Sequence, residues 1–341
     1  MNKYRFNTSK HIYKLILAIA VFMNIFCLFA ETARYQTENY NLTVYYNETL
    51  VPGDAIFVRL SVAMPKTHKK NKIEPERIAN LKLYQGKKVI EKADFYNLGK
   101  RRNPLTTDLL AGVPLSSWLK NDDYSIKVTF SFEENELKEF TLPLTFKARD
   151  FDHETIDLDD ENTAIKTDNS PERMAQIEKL NNILFTTMPT DIFAIQNFTS
   201  PTTSTRYTAH FGDRRVYAYT NGKSSTSLHY GNDYGIPEGT SVYSCADGKV
   251  VMAENRISTG WSIVIEHLPG LYSLYYHLSE MEVQEGEMVT QGMLIGKSGS
   301  TGLATGPHLH WEMRLNGEAV RPEFFIDNFS FEPEIVEKQE K

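Results

Sequence analysis

The chain is poor in cysteine, in positive charge and in helical periodicity. Its 341 residues include only two cysteines, Cys27 and Cys245. Cys27 lies in the N-terminal apolar segment, so a processed chain would keep Cys245 alone. A single thiol cannot form an intrachain disulfide, and stability must then come from hydrophobic cores or a metal. The formal net charge of -7 gives no sign of a nucleic-acid partner, which would usually require a basic patch. The N-terminal apolar run, LILAIAVFMNIFCLFA at residues 15–30, falls short of the roughly 20 residues that cross a bilayer comfortably. Acidic residues are absent from the first 30 positions, which carry Lys3, Arg5, Lys10 and Lys14.

A basic start, a short apolar run and the small residue Ala30 predict a secretory signal over residues 1–30, cleaved near Ala30–Glu31. An uncleaved membrane anchor is the alternative, and residues 15–30 are then the sole expected membrane contact. Ile25 and Phe26 are poor neighbours for lipid attachment at Cys27. Removing the four basic residues from the 37 Lys+Arg leaves 33 against 44 Asp+Glu, a more acidic exported chain. The expected location is therefore the periplasm or cell envelope.

The length suits two domains. Residues 34–148 read as all-β, with runs YNLTVYY (40–46), AIFVRLSVAM (55–64), LKLYQGKKVI (81–90), YSIKVTFSF (124–132) and EFTLPLTFKA (139–148). Tyr124, Ile126, Val128 and Phe130 alternate with polar residues, and turn formers such as Pro52–Gly53 separate the runs. Short alternating strands at this spacing predict an immunoglobulin-like β-sandwich. It holds no chemical constellation and reads as a spacer or binding module.

Residues 149–189 read as an acidic linker followed by a short helix. Seven acids fall between Asp150 and Glu161 without apolar periodicity, the mark of a solvated segment. Asp157, Asp159 and Glu161 imitate a calcium loop, but Asn162 stands where such loops need glycine and Asp168 where they need a bidentate Glu. Ser170–Pro171–Glu172 reads as an N-cap, a first-turn proline and a first-turn acid. Met174, Ile177, Leu180 and Leu184 then predict an amphipathic helix over 171–185 that docks on the second domain.

From 190 to 327 glycine becomes frequent and short strands follow closely, predicting a compact antiparallel β domain. Asp247–Gly248 and Pro269–Gly270 read as hairpin turns. Cys245, in SVYSCADGKV, reads as a small buried strand residue, with nothing nearby to activate it. Residues 328–341 read as a charged tail.

Six of the nine histidines lie between positions 210 and 310. In HLHWEMRL, strand alternation places His308, His310, Glu312 and Arg314 on one face and Leu309, Trp311, Met313 and Leu315 on the other. The two imidazoles therefore point away from that apolar core. In SLHYGNDYGIPEGT, His229 and Asp233 are four apart, and Gly231, Gly235 and Pro237 argue for an extended segment that shows both side chains on one face. A carboxylate and two imidazoles with an open fourth position is the donor set of a catalytic zinc site. His277, in LYYHLS, and whichever of His308 and His310 stays off the metal are candidates for acid–base or oxyanion-stabilising roles. His210 and His267 read as ordinary hydrogen-bonded or exposed residues.

Residues 206–325 resemble the lysostaphin-type, or LytM-domain, zinc metallopeptidases that cut peptidoglycan peptides. The matching pieces run in the family's order: FGDRR (211–215), HYGNDYGIPEGTSVYSCADGKVV (229–251), GWSIVIEH (260–267), LYYHLS (274–279), VQEGEMVTQGMLIGKSGSTGLATGPHLHWEM (283–313) and RPEFFI (321–326). The resemblance implies a LytM-type peptidase domain, Zn2+ held by His229, Asp233 and His310, and water activation and transition-state stabilisation by His277 and His308. Cys245 departs from the small residue, such as alanine, usual there. The implied function is an exported zinc endopeptidase acting on peptidoglycan. The competing function is a non-catalytic regulator of cell-wall amidases, which the complete five-residue set disfavours. The β-sandwich is the expected surface for a division or wall-hydrolase partner.

Overall fold

The computed structural model describes residues 32–65, 78–99, 105–132, 137–327 and 329. The expected signal or anchor (1–30) and most of the expected charged tail (328–341) lie outside the described residues. Among the described residues, no helix is long and apolar enough to cross a membrane. Two compact units meet at Ala148–Arg149.

In the first unit the strands are β1 (Thr32–Gln36), β2 (Asn41–Tyr46), β3 (Thr49–Leu50), β4 (Ala55–Ala63), β5 (Ile78–Gln85) and β6 (Lys88–Asp94). They are followed by β7 (Tyr96–Asn97), β8 (Thr106–Pro114), β9 (Tyr124–Ser131), β10 (Lys138–Pro143) and β11 (Thr145–Phe146). One sheet runs β1-β2-β4-β8-β7 and the other β10-β9-β5-β6. Leu42, Val44 and Leu60 from the first sheet and Leu81, Ile126 and Val128 from the second join one buried cluster, as in face-to-face sheet packing.

The alternation read in 124–132 holds, because β9 buries every second residue. LKLYQGKKVI is not one run. It turns at Gly86, whose φ of 56° suits glycine, and becomes the β5–β6 hairpin. The reading also passed over β8. Seven consecutive residues of that strand, Asp108–Pro114, are buried, so TDLLAGVP shows no alternation. Its buried Asp108 pairs with Arg59 of β4 at 3.2 Å.

The second unit begins with β12 (His153–Asp157), α1 (Asp160–Thr167) and α2 (Pro171–Leu184). Next come β13 (Tyr207–Ala209), β14 (Arg214–Ala218), β15 (Ser224–Leu228), β16 (Gly231–Tyr234), β17 (Ser241–Tyr243) and β18 (Gly248–Arg256). The remainder is β19 (Gly260–Leu268), β20 (Leu271–Met281), β21 (Met288–Val289), β22 (Leu294–Ser298), β23 (Leu309–Leu315), β24 (Glu318–Val320) and α3 (Pro322–Asp327). The main sheet runs β13-β16-β23-β20-β19-β18-β21, with β22 and β24 on its flanks and β17 paired to β22. Pro269–Gly270 turns the β19–β20 hairpin as expected. Asp247–Gly248 does not make a hairpin, because it joins β17 to β18 and those strands do not pair.

The acidic segment is not merely solvated. β12 pairs in parallel with β14, which pairs with β15, in a separate three-stranded sheet. Asp159 serves as the N-cap of α1, its carboxylate accepting from the Asn162 amide at 2.8 Å. Ile156 is the one aliphatic residue of β12 and none of its residues is buried, so no apolar pattern marked it. α2 starts where the signals placed it, with Ser170 Oγ accepting from the Arg173 amide at 3.2 Å. Its packed face is narrower than the predicted stripe. Leu180, Ile183 and Leu184 meet Met252, Val264, Tyr272, Leu274 and Tyr276, whereas Met174 is exposed.

Leu184→Ala would remove the one fully buried anchor of α2. The expected loss is about 2–5 kcal/mol, read from urea denaturation of the whole chain.

Candidate metal centre

His229 lies two residues before β16, and Asp233 lies within it. β16 pairs antiparallel with β23 so that Asp233 stands opposite His310. Gly231 permits this approach, since a Cβ there would run into the Trp311 carbonyl. Along β23, Leu309, Trp311 and Met313 fill the core, as the alternation required. The opposite face is also buried, with His310 7% and Glu312 4% exposed, so the polar side chains have left water and need partners.

Three donor atoms converge. His229 Nε2 lies 3.1 Å from Asp233 Oδ1, His310 Nδ1 lies 2.7 Å from the same oxygen, and the two ring nitrogens are 3.0 Å apart. The far side of each ring fixes its tautomer. His229 Nδ1 donates to the His210 carbonyl at 2.8 Å. His310 Nε2 donates to Glu312 Oε1 at 3.0 Å, and Arg314 holds the other oxygen of Glu312 at 2.7 Å. With those protons committed outward, both inner nitrogens present lone pairs to the Asp233 carboxylate. Two lone pairs and an anion facing one point repel one another unless a cation or an added proton sits between them.

The donor set fits zinc. Bonds of about 2.0–2.1 Å in a tetrahedron put ligand atoms about 3.3 Å apart, so this triangle need open by only a few tenths of an ångström. His229, Asp233 and His310 are the residues that could hold such an ion. With metal absent, a proton takes its place. Burial alone would keep His310 neutral, but hydrogen bonds with Asp233 and Glu312 outweigh it and push its pKa up to about 9. Burial works against the charge of Asp233 too, yet His229 and His310 hold its carboxyl well below the usual range. His229 is lowered, chiefly by burial.

His308 and His277 stand beside this triangle. His308 donates from Nδ1 to the Gly306 carbonyl at 2.8 Å, and its Nε2 lies 3.7 Å from Asp233 Oδ1. The ring of His277 is centred 4.6 Å from that of His308 and 6.1 Å from that of His310. His277 sits inside β20 with φ of 61°, where the pairing with β19 slips register between Trp261 and Ile263. This bulge re-aims the side chain, so strict alternation fails there. Tyr276 stacks on His310 at 5.5 Å while His277 reaches the same cluster. His277 is held by its amide on the Thr259 carbonyl at 2.9 Å and by Nδ1 on the Thr301 carbonyl at 2.7 Å. Burial, reinforced by His308 and His310, pushes its pKa down to about 3, so the ring is neutral at pH 7 with its Nε2 lone pair unprotonated.

The five side chains singled out in the sequence thus lie together. Three contributors had no assigned role: Glu312, which orients His310; Arg215, which donates to Asp233 Oδ2 at 3.0 Å; and the His210 carbonyl. Glu312 was legible as the next alternate position in HLHWE, whereas Arg215, although the last residue of FGDRR, carried no local signal that tied it to Asp233. His210 acts through its backbone. His267 is fully buried and bonded to Asp247 and Ser273. Cys245 is buried and burial pushes its thiol up to about 11, an inert group.

A glycine-rich antiparallel β domain carrying His/Asp/His beside two further histidines is the construction expected of a metallopeptidase domain. Residues 227–322 match the model of Peptidase family M23, and the chain carries a peptidase M23 domain. The resemblance drawn from its motifs is borne out. Peptidoglycan DD-endopeptidase ShyA of Vibrio cholerae serotype O1 is 40% identical over 115 residues, 34% of this chain and 26% of that protein. DD-carboxypeptidase/endopeptidase Mpg of Neisseria meningitidis serogroup B is 45% identical over 95 residues, 28% of this chain and 22% of that protein. The matched segment therefore spans about a quarter of these relatives. A crystal structure from Pseudomonas aeruginosa assigned to peptidase M23 superposes with a TM-score of 0.51 at 19% identity, over 82% of this chain and 96% of that one. That likeness shows the fold alone.

Metal uptake should displace the proton on His310. Below about pH 9 binding releases a proton, so zinc affinity is expected to rise with pH up to that value and then level off. Chelator competition across a pH series reads this. Glu312→Gln, which weakens the acceptor behind His310, is expected to lower zinc affinity about 10–100-fold in the same assay.

Proposed function

We propose that this chain is an exported zinc metalloendopeptidase that hydrolyses peptide bonds of bacterial peptidoglycan, in cross-links or stem peptides. The observation that carries this reading is the convergence of two outward-tied imidazoles and one carboxylate on a single point, next to two histidines that are not needed to hold the ion. The relatives named for peptidoglycan DD-endopeptidase activity support the substrate class, and the basic, apolar N-terminus supports export.

His229 Nε2, Asp233 Oδ1 and His310 Nδ1 would hold the ion, which when bound supplies Lewis acidity and activates a water nucleophile. His277 is neutral and tied at Nδ1, so its Nε2 can accept a proton and then return it to the leaving amine. His308, likewise tied at Nδ1, presents Nε2 to the same space, where it can share the proton released by the water with His277 and, while carrying it as N–H, stabilise the developing oxyanion. The bulge at His277 supports such a role, because a non-glycine residue at positive φ costs free energy that the surrounding fold must offset. A regulator of wall amidases would need none of these proton-handling groups. The β-sandwich remains our proposed surface for a wall-hydrolase or division partner.

The test is incubation of the purified chain with peptidoglycan, with zinc and with chelator, followed by assay of new amine termini. Zinc-dependent release is expected, and none in zinc buffer would turn the reading to the regulator. His277→Ala is expected to retain zinc and lose about 10²–10⁴-fold in turnover. Loss of zinc in that variant would contradict its placement outside the ligand set.

A further inference from the structure

The second oxygen of Asp233 leads away from the metal centre to a strand that lies before the region matched to the peptidase family. Asp233 Oδ1 faces the imidazoles, while Oδ2 accepts from Arg215 Nη2 at 3.0 Å. Arg215 is on β14, with its side chain 11% exposed. Its Nε donates to Glu154 Oε1. Glu154 belongs to β12, and the parallel register sets it directly opposite Arg215. The guanidinium therefore bridges two carboxylates, one at the metal centre and one on the segment at residues 149–170.

We propose that Glu154 and Arg215 are positioning residues that make Asp233 a one-oxygen ligand, so that β12, which precedes the peptidase region, is part of the metal centre's support. The proposal rests on the zinc-site reading above. A free carboxylate can turn and offer both oxygens to a cation. With Oδ2 committed to Arg215, a single oxygen is presented in a fixed direction. Arg215 can do this only if its own fork is fixed, and Glu154 supplies the second anchor. A lysine, as a point charge without a fork, cannot span both carboxylates. Lys166 of α1 lies 4.0 Å from the ring of Tyr217, two residues along β14 from Arg215 and on the same face, which further joins this segment to the strand carrying Arg215.

The experiment is a double-mutant cycle on zinc affinity in the full chain, by chelator competition, with the Tm of the metal-free protein measured alongside. Arg215→Gln is expected to weaken zinc about 10–100-fold. Glu154→Gln is expected to weaken it by a smaller factor, with the metal-free Tm unchanged, and to have no further effect when Arg215 is already Gln. Should Glu154→Gln lower that Tm, Arg215→Lys provides the second measurement. It keeps charge on Asp233 but loses the bridge, so an affinity between wild type and Arg215→Gln is expected. Wild-type affinity in Glu154→Gln or in Arg215→Lys would overturn the proposal. So would an effect of Glu154→Gln that is undiminished in the Arg215→Gln background. A wild-type chain that binds no zinc would instead overturn the metal-site reading itself.

Discussion

Three acceptors that face one another form the constraint on which the second unit depends. His229 and His310 each spend their ring proton on an outward partner, a backbone carbonyl and a carboxylate. What remains inside is electron-rich and buried, and burial makes every unpaired charge more costly. The surroundings are arranged around that conflict. Gly231 lets two strands close up, Glu312 and Arg314 neutralise each other behind His310, and Arg215 compensates the far oxygen of Asp233.

The same sheet face does two jobs. Near its middle, β20 and β23 present the histidine cluster. Farther along, Tyr272, Leu274 and Tyr276 receive α2. The helix also reaches the loop behind His277, since Arg173 donates to Ser258 Oγ at 2.9 Å and Gln176 Oε1 accepts from the Ile257 amide at 2.9 Å. Thr259, at the end of that loop, takes the His277 amide. The residues from 149 to 184 are thus built into the support of the site, although they precede the matched family region.

Much of this was legible before any coordinates. Alternation in HLHWEMRL separated a core face from a histidine face, and the pairing of β23 keeps that separation. Ser170–Pro171 announced α2. What escaped had physical causes. β8 is buried along most of its length and lacks a period of two. β12 buries none of its residues and places Glu154 at one of its two half-buried positions, where a core strand would carry an apolar residue. Arg215 acts on a residue 18 positions away, a relation no local pattern encodes. The inward turn of His277 had no local signal either, because the register slip in β20 depends on the partner strand.

The sequence by itself determined which side chains could bind an ion, which face His308 and His310 share on their strand, and where α2 begins. Those properties follow from side-chain chemistry and from backbone periods of 2 and 3.6 residues, which are local. Only the tertiary structure decided that β16 lies beside β23, that His277 turns inward at a positive φ, and that Glu154 reaches Asp233 through Arg215. Each of these depends on strand pairing between distant segments, where register and close backbone approach place the atoms.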